Sequence, residues 1–241
     1  MANITRYIPN TFTCFNLFFG CVASATALQG HYQWAFLFII ISALFDFLDG
    51  MMARLLHAYS DIGKDLDSLS DVVSFGVAPS LMVFSLLGSI TYPDYLQPVS
   101  RLLPYFAFVI AVFSALRLAK FNNDPRQSHS FIGLPVPAHA LFWASLVSTS
   151  AGHLDGIIAH NPLSVYLPFL LIFLMSWMLV SRLPMFSLKF ENLSWADNNV
   201  RYLFLAVSLV LLILFREIGV AAVILWYIIL SVLQQFITCR R

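Results

Sequence analysis

Asp46, Asp49, Asp67 and Asp71 stand in one short, otherwise apolar stretch, FDFLDGMMARLLHAYSDIGKDLDSLSDVVSF. An ionised aspartate costs about 2.5–3.5 kcal/mol at the centre of a membrane-spanning helix, so four together demand a counter-charge. Asp46, Asp49, Gly50, Ala53 and Arg54 lie at i, i+3, i+4, i+7 and i+8, which is one face of a helix, and Asp67 and Asp71 form a second pair at i, i+4. The segment LLHAYSDI between Arg54 and Gly63 is only long enough to turn the chain back. The two helices therefore make an antiparallel hairpin on which the acidic faces meet. Carboxylate oxygens at this density suit a hard cation such as Mg²⁺ or Mn²⁺, and two ions sharing bridging carboxylates would satisfy all four groups. Without cations the four charges would repel one another.

The elements that must carry these residues are membrane helices. The chain has 241 residues, of which 60% are hydrophobic and 10% charged, and its mean hydropathy is +0.82, values of a polytopic membrane protein. A net charge of +1 with no basic run or zinc-ligand spacing gives no reason to expect a nucleic-acid partner. Cys14, Cys21 and Cys239 are expected as buried small side chains, not a disulfide framework. No cleavable signal peptide is expected in MANITRYIPNTFTCFNLFFG, which lacks a small-residue cleavage site after a short apolar core.

Apolar windows near 11–29, 34–56, 65–89, 102–122, 134–151, 163–181, 199–215 and 218–237 predict about eight spanning helices in an all-α transmembrane bundle. The last two windows are separated only by a tight turn at Arg216 and Glu217. Residues 1–241 read as a single integral-membrane domain without repeats. With the N-terminus in the cytoplasm, Arg6, Arg54, Lys64, Arg117, Lys120, Arg126, Arg182, Lys189, Arg201, Arg240 and Arg241 fall at cytoplasmic ends, leaving Arg101 and Arg216 outside. The aspartates then lie at the cytoplasmic end of the second and third spans.

From Asp46 to Asp71 the spacing reads Asp-x2-Asp-Gly-x2-Ala-Arg-x8-Gly-x3-Asp-x3-Asp, without gap or substitution. This resembles the signature of the CDP-alcohol phosphotransferases, membrane enzymes that transfer a phosphoryl-linked group from a CDP-activated donor to an alcohol and release CMP. Eight residue types at fixed spacing are far more specific than a lone glycine motif. The resemblance implies that Asp46 and Asp67 bridge two divalent cations, Mg²⁺ or Mn²⁺. Asp49 would complete one metal site, and Asp71 would help the other while serving as base. It further implies that Gly50, Arg54 and Ser60 contact the CDP moiety, and that the chain forms a homodimer. Gly50 offers close approach to the helix backbone and Arg54 a planar cationic fork for phosphate. Gly50 as helix packing, Ser60 as a turn residue and Arg54 as a membrane anchor remain the alternatives.

Two further segments, SALRLAKFN (114–122) and FIGLPVPAHA (131–140), are similar to those of the membrane-embedded phosphatidylserine synthases of this family. The N-terminal PNTFTCFNLFFG, with Asn10, Thr13, Asn16 and Gly20, also looks like the family's first helix. Lys120 stands where arginine is common in that run. The resemblance implies CDP-diacylglycerol as donor and L-serine as acceptor, with membrane lipids around the bundle. Arg117 and Lys120 are candidate partners of the serine carboxylate, alongside Asn122; the alternative is that both cations anchor the helix at the headgroups. Gly133, Pro135 and Pro137 would fix the entry to the fifth span. Glycerol 3-phosphate or an inositol phosphate is the alternative acceptor. A cation transporter is the alternative of another class, and it would distribute its acids through the bilayer depth. Asp61, Asp65, Asp94, Asp124, Asp155, Glu191, Asp197 and Glu217 read as solvated. His57, His129 and His139 are too isolated to be ligands.

Overall fold

A computed structural model describes residues 7–123, 131–186 and 195–238. Arg6, Asp124, Arg126, His129, Lys189, Glu191, Cys239, Arg240 and Arg241 lie outside the described residues, as do the side chains of Asp155 and Asp197. The chain is an all-α bundle. Helix α1 (Tyr7–Leu28) turns at Gly30, whose φ of 76° favours glycine, into α2 (Tyr32–Leu55). After α2 the chain reverses through His57, at φ 47°, and Ser60 caps α3 (Asp61–Asp71) by accepting a hydrogen bond from the Gly63 N–H at 3.0 Å. Helix α3 continues through a six-residue π-helical segment (Val72–Val77) into α4 (Ala78–Ser89), making one span from Asp61 to Ser89. Pro79 has no N–H to offer the carbonyl of Phe75, and the widened turn before it absorbs the mismatch.

Two 3₁₀ turns (Asp94–Val99 and Leu103–Phe108), each carrying a proline, lead into α5 (Val109–Asn123). The rest comprises α6 (Val136–Ser150), α7 (Leu154–His160), α8 (Tyr166–Val180) and α9 (Trp195–Thr238). Strands β1 (Phe131–Ile132) and β2 (Pro184–Met185) form a short antiparallel ladder with Phe131 opposite Met185. That ladder seats the turn into α6 on the end of α8. Gly133, at φ 79°, has no room for a side chain, because an added Cβ would lie 2.6 Å from the Leu179 carbonyl oxygen.

Six helices among the described residues are long and apolar enough to cross a membrane, the last of them, Asn198–Gln235, holding both of the last two expected windows, and the expected count of eight is not reproduced. The fifth expected span, α6, has 15 residues, short of the roughly 20 that a crossing needs, and nine of them are buried. Its apolar sequence reflects a protein interior on most sides. Helix α9 folds back at Arg216, where φ is 51°: an added Cβ on Gly219 would lie 2.7 Å from the Leu211 carbonyl, and the Phe204 and Tyr227 rings come within 5.8 Å. The expected tight turn there is present. Ser145 Oγ donates to the Glu217 carbonyl at 2.6 Å and Ser148 Oγ to its carboxylate at 3.1 Å, which docks the turn on α6.

Helix α1 packs inversely to a helix of a water-soluble bundle. Pro9, Thr13, Asn16, Gly20, Ala23 and Ala27 form the inward stripe of α1, while Phe15, Phe18 and Leu28 are exposed. Small and polar residues let helices approach, and lipid accepts the large apolar ones. This corrects the expectation for two cysteines: Cys14 and Cys21 are exposed, because the outer face of a membrane helix is itself apolar. Phe45 of α2 receives Phe15 and Phe19 of α1 in stacked contacts at 5.2 and 5.4 Å, which complete the seam between the two helices.

The ends that carry most of the basic residues meet at one end of the bundle. Lys120 Nζ, near the end of α5, donates to the Val180 carbonyl at the end of α8 at 3.3 Å, and Asn122 Nδ2 donates to Ser68 Oγ on α3 at 2.8 Å. A close interhelical contact lies elsewhere: a Cβ on Gly20 would lie 2.8 Å from the Ser74 Cα, a backbone atom that cannot yield. Gly20→Ala should destabilise the protein by about 1–3 kcal/mol through overpacking. Thermal unfolding in detergent would register this as a lowered midpoint, and an unchanged midpoint would contradict the contact.

Candidate active site

The turn from α2 to α3 brings the two acidic faces together. One carboxylate oxygen each from Asp46, Asp49 and Asp67 falls within a 4.8 Å set. Asp71 lies outside that set but adjoins it, its carboxyl within hydrogen-bonding reach of Asp46. Asp49 and Asp71 are buried, at 6% and 8% exposure. Their surroundings are the inward face of α1: Thr13 shares the cavity wall with Asp49, and Asn16 Nδ2 donates to Asp71 Oδ1 at 3.1 Å.

The arrangement fits divalent cations. Asp49 Oδ2 and Asp67 Oδ1 are buried and find no hydrogen-bond partner among the described residues. A buried, unpaired carboxylate oxygen is costly, and no basic side chain within salt-bridge distance of the cluster is found among the described residues. Oxygen-only donors at this spacing are the set that Mg²⁺ or Mn²⁺ prefers.

Beside the cluster opens a cavity of about 830 Å³, lined by Asp49, Asp67, Gly50, Arg54 and Ser60 together with Asn10 and Thr13 of α1, Tyr59, Lys64 and Phe121. Every residue expected to meet the donor nucleotide is on its wall. Arg54 Nε donates to the Gly50 carbonyl at 2.9 Å, which aligns the guanidinium along the helix and leaves its other nitrogens for the cavity. An added Cβ on Gly50 would meet only Arg54 Nη2, at 3.7 Å, so the helix backbone faces open space there. Gly63 is a packing glycine: a Cβ would press on Ser60 Oγ at 2.9 Å and Asn10 Oδ1 at 3.0 Å. Ser60 thus lines the cavity while its hydroxyl caps α3.

The three acceptor candidates separate. Arg117 is buried at 4% exposure, its guanidinium carbon 4.9 Å from the centre of the Phe121 ring, and its Nε has no hydrogen-bond partner among the described residues. Lys120 and Asn122 are exposed and tie α5 to α8 and α3. His139 is sealed inside α6, its Nε2 accepting from Trp143 Nε1 at 3.1 Å, and Asp61, Asp65, Asp94 and Glu217 are exposed. The role of α1 was the part missed from sequence: Asn10, Thr13 and Asn16 all face the site, and their spacing on one helical stripe was the available signal.

A family model for CDP-alcohol phosphatidyltransferase matches residues 6–183, and the chain belongs to this family. Among curated relatives it is similar to the CDP-diacylglycerol–serine O-phosphatidyltransferase of Bacillus subtilis (strain 168), at 39% identity over 132 residues, 55% of this chain and 70% of that protein. The enzyme of the same name from Helicobacter pylori (strain J99) is 36% identical over 55% of this chain and 54% of its own. The archaetidylserine synthase of Methanothermobacter thermautotrophicus is 31% identical over 61% of this chain and 60% of its own. The chain therefore spans less than two thirds of the length of the latter two relatives.

The geometry predicts cation binding without substrate. In chelator-treated protein, Asp46→Asn and Asp67→Asn should each weaken Mn²⁺ binding by at least about tenfold, because each removes one charge from a shared oxygen cluster. Asp61→Asn, on the exposed start of α3, should not. Electron paramagnetic titration of free Mn²⁺ measures this, and equal affinities in all four proteins would remove the cluster as the cation site.

Proposed function

We propose that this chain is a membrane-embedded phosphatidylserine synthase that transfers the phosphatidyl group of CDP-diacylglycerol to the hydroxyl of L-serine and releases CMP. The observation that carries the proposal is the cavity, which has carboxylates on one wall and Gly50, Arg54 and Ser60 beside them. A pyrophosphate needs these two chemistries side by side, a cation-holding cluster and an anion-binding fork.

Asp46, Asp49, Asp67 and Asp71 would hold two divalent cations, with Asp46 and Asp67 shared between them. When bound, the ions neutralise the pyrophosphate charge that otherwise repels a nucleophile. Arg54 holds a phosphate oxygen, and Gly50 lets the nucleotide lie against α2. Asp71 receives the proton of the serine hydroxyl as its oxygen attacks the phosphorus that carries diacylglycerol. The bond between that phosphorus and the bridging oxygen breaks, and CMP leaves with the electron pair. Arg117 is the candidate partner for the serine carboxylate, since a buried guanidinium with an unpaired Nε is suited to an anion. Lys120 and Asn122 have other hydrogen-bond partners and are the weaker part of the acceptor reading.

The proposal includes a cell-membrane location with the N-terminus and the site facing the cytoplasm, on the distribution of basic residues. It treats residues 1–241 as one domain, supported by the docking of the C-terminal hairpin on α6, and assembly as a homodimer. The transporter alternative loses ground because the four acids lie together at one end of two helices, beside a phosphate-suited arginine.

Purified protein given CDP-diacylglycerol and Mn²⁺ or Mg²⁺ should release CMP with serine and not with glycerol 3-phosphate or an inositol phosphate. Release with one of the latter alone would reassign the acceptor. Asp71→Asn should lower turnover by about 100-fold or more while retaining donor binding, whereas Arg54→Lys should weaken donor binding more than serine binding. Arg117→Gln should raise the KM for serine by about tenfold or more with the donor KM little changed. Donor affinity and serine-dependent turnover measured together check all three, and an unchanged serine KM would remove Arg117 from the acceptor site.

A further inference from the structure

Between the two acidic helices lies a polar residue that their signature does not contain. Asn16 of α1 is fully buried. Its Nδ2 donates to Asp71 Oδ1 at 3.1 Å, and its Oδ1 accepts from Ser42 Oγ at 2.6 Å. Its backbone carbonyl accepts from Ser42 Oγ at 2.7 Å and from Ser74 Oγ at 3.0 Å. Ser42 precedes Asp46 by one turn of α2, and Ser74 follows Asp71 by three residues. The direction of the amide is fixed by its neighbours. An ionised Asp71 carboxylate only accepts, so it takes Nδ2 and turns Oδ1 toward Ser42, whose single hydroxyl proton is shared between Oδ1 and the Asn16 backbone carbonyl. Rotating a buried amide engaged at both ends would break a bond on each side. Neither Asn16 nor Asp71 lines the cavity, and the hydrogen bond from Asn16 to the acidic cluster goes to Asp71.

We infer that Asn16, aligned by Ser42, is a positioning residue for Asp71: it pins Oδ1 to the protein interior and leaves the second oxygen for the reaction centre. The inference rests on the reading of Asp71 as cation ligand and proton acceptor. It places a residue of the first helix in control of a group on the third.

The test compares Asn16→Ala, Ser42→Ala, the Asn16→Ala/Ser42→Ala pair, Asp71→Asn and Asn16→Ala/Asp71→Asn in lipid nanodiscs. Serine-dependent CMP release is one readout, and Mn²⁺ affinity without substrate is the other. Asn16→Ala should lower kcat by about 10- to 100-fold with the donor KM little changed, as loss of a partner that orients a ligand does. Ser42→Ala should lower kcat by a smaller factor and add nothing to Asn16→Ala, because its effect passes through the amide. Mn²⁺ affinity should fall in Asn16→Ala but fall no further when Asp71 is already asparagine. Parental kcat and Mn²⁺ affinity in Asn16→Ala beside an inactive Asp71→Asn would overturn the positioning role and leave Asp71 in place. Multiplicative losses in the serine–asparagine pair would overturn the alignment by Ser42. If Asn16→Ala does not fold, Ser42→Ala, which removes one hydroxyl, decides: parental values in it overturn the inference. A fully active Asp71→Asn would instead overturn the reading of Asp71, and this inference with it.

Discussion

Four carboxylates gathered near the end of two membrane helices are the constraint on which the rest of the structure depends. Each resists removal from water, and together they resist one another, so the fold must bring them close and supply something to hold them. Closeness comes from the short reversal at His57 and the Ser60 cap, which fix where α3 begins relative to the end of α2. What holds them in the protein is α1, whose inward stripe carries the Asn16 amide to Asp71. The unpaired oxygens of Asp49 and Asp67 remain for cations.

That convergence is possible only because the interfaces are made of small residues. Gly20 against Ser74, and Gly76 with its Cβ position 3.2 Å from Ser114 Cβ, let α1, the π-helical segment and α5 come nearly to backbone contact. A larger side chain at either glycine would separate the helices and pull the carboxylates apart. Large apolar side chains such as Phe75, Met82 and Phe142 fill the core elsewhere, while at these seams the larger residues have lipid to meet. The same inversion accounts for the exposed Phe47, Trp34 and Leu209 and for the outward cysteines of α1.

Much of the site was legible because local helical spacing sufficed. The i, i+3 and i, i+4 intervals of the aspartates placed each pair on one face, and eight connecting residues dictated how the faces meet. Gly50 and Arg54 share the face of Asp46 and Asp49, the family resemblance added Ser60, and all three line the cavity. Long-range contacts were less legible. Nothing local distinguishes Arg117, buried with an unpaired Nε, from Lys120 one turn on, whose ammonium reaches the end of α8. Asn16 stands in an apolar run where its spacing from Thr13 and Gly20 was visible, but its partners lie 26 and 55 residues away. Hydropathy also could not separate a span from a buried helix, since a protein interior and a lipid interior select the same residues in α6.

The polar stripe on α1 bears on how the protein is made. During synthesis α1 emerges before α2 and α3, carrying an amide whose side-chain partners come from those two helices and a carbonyl shared with Ser74. Released alone into lipid, Asn16 would have no group to receive it, and hydrocarbon offers no substitute. Helix α1 is therefore suited to stay beside the insertion machinery until α2 delivers Ser42, and to settle only once the third span delivers Asp71. A residue bonded to both Asp71 and Ser42 in the finished protein thus also ties α1 to assembly with the two helices that follow it.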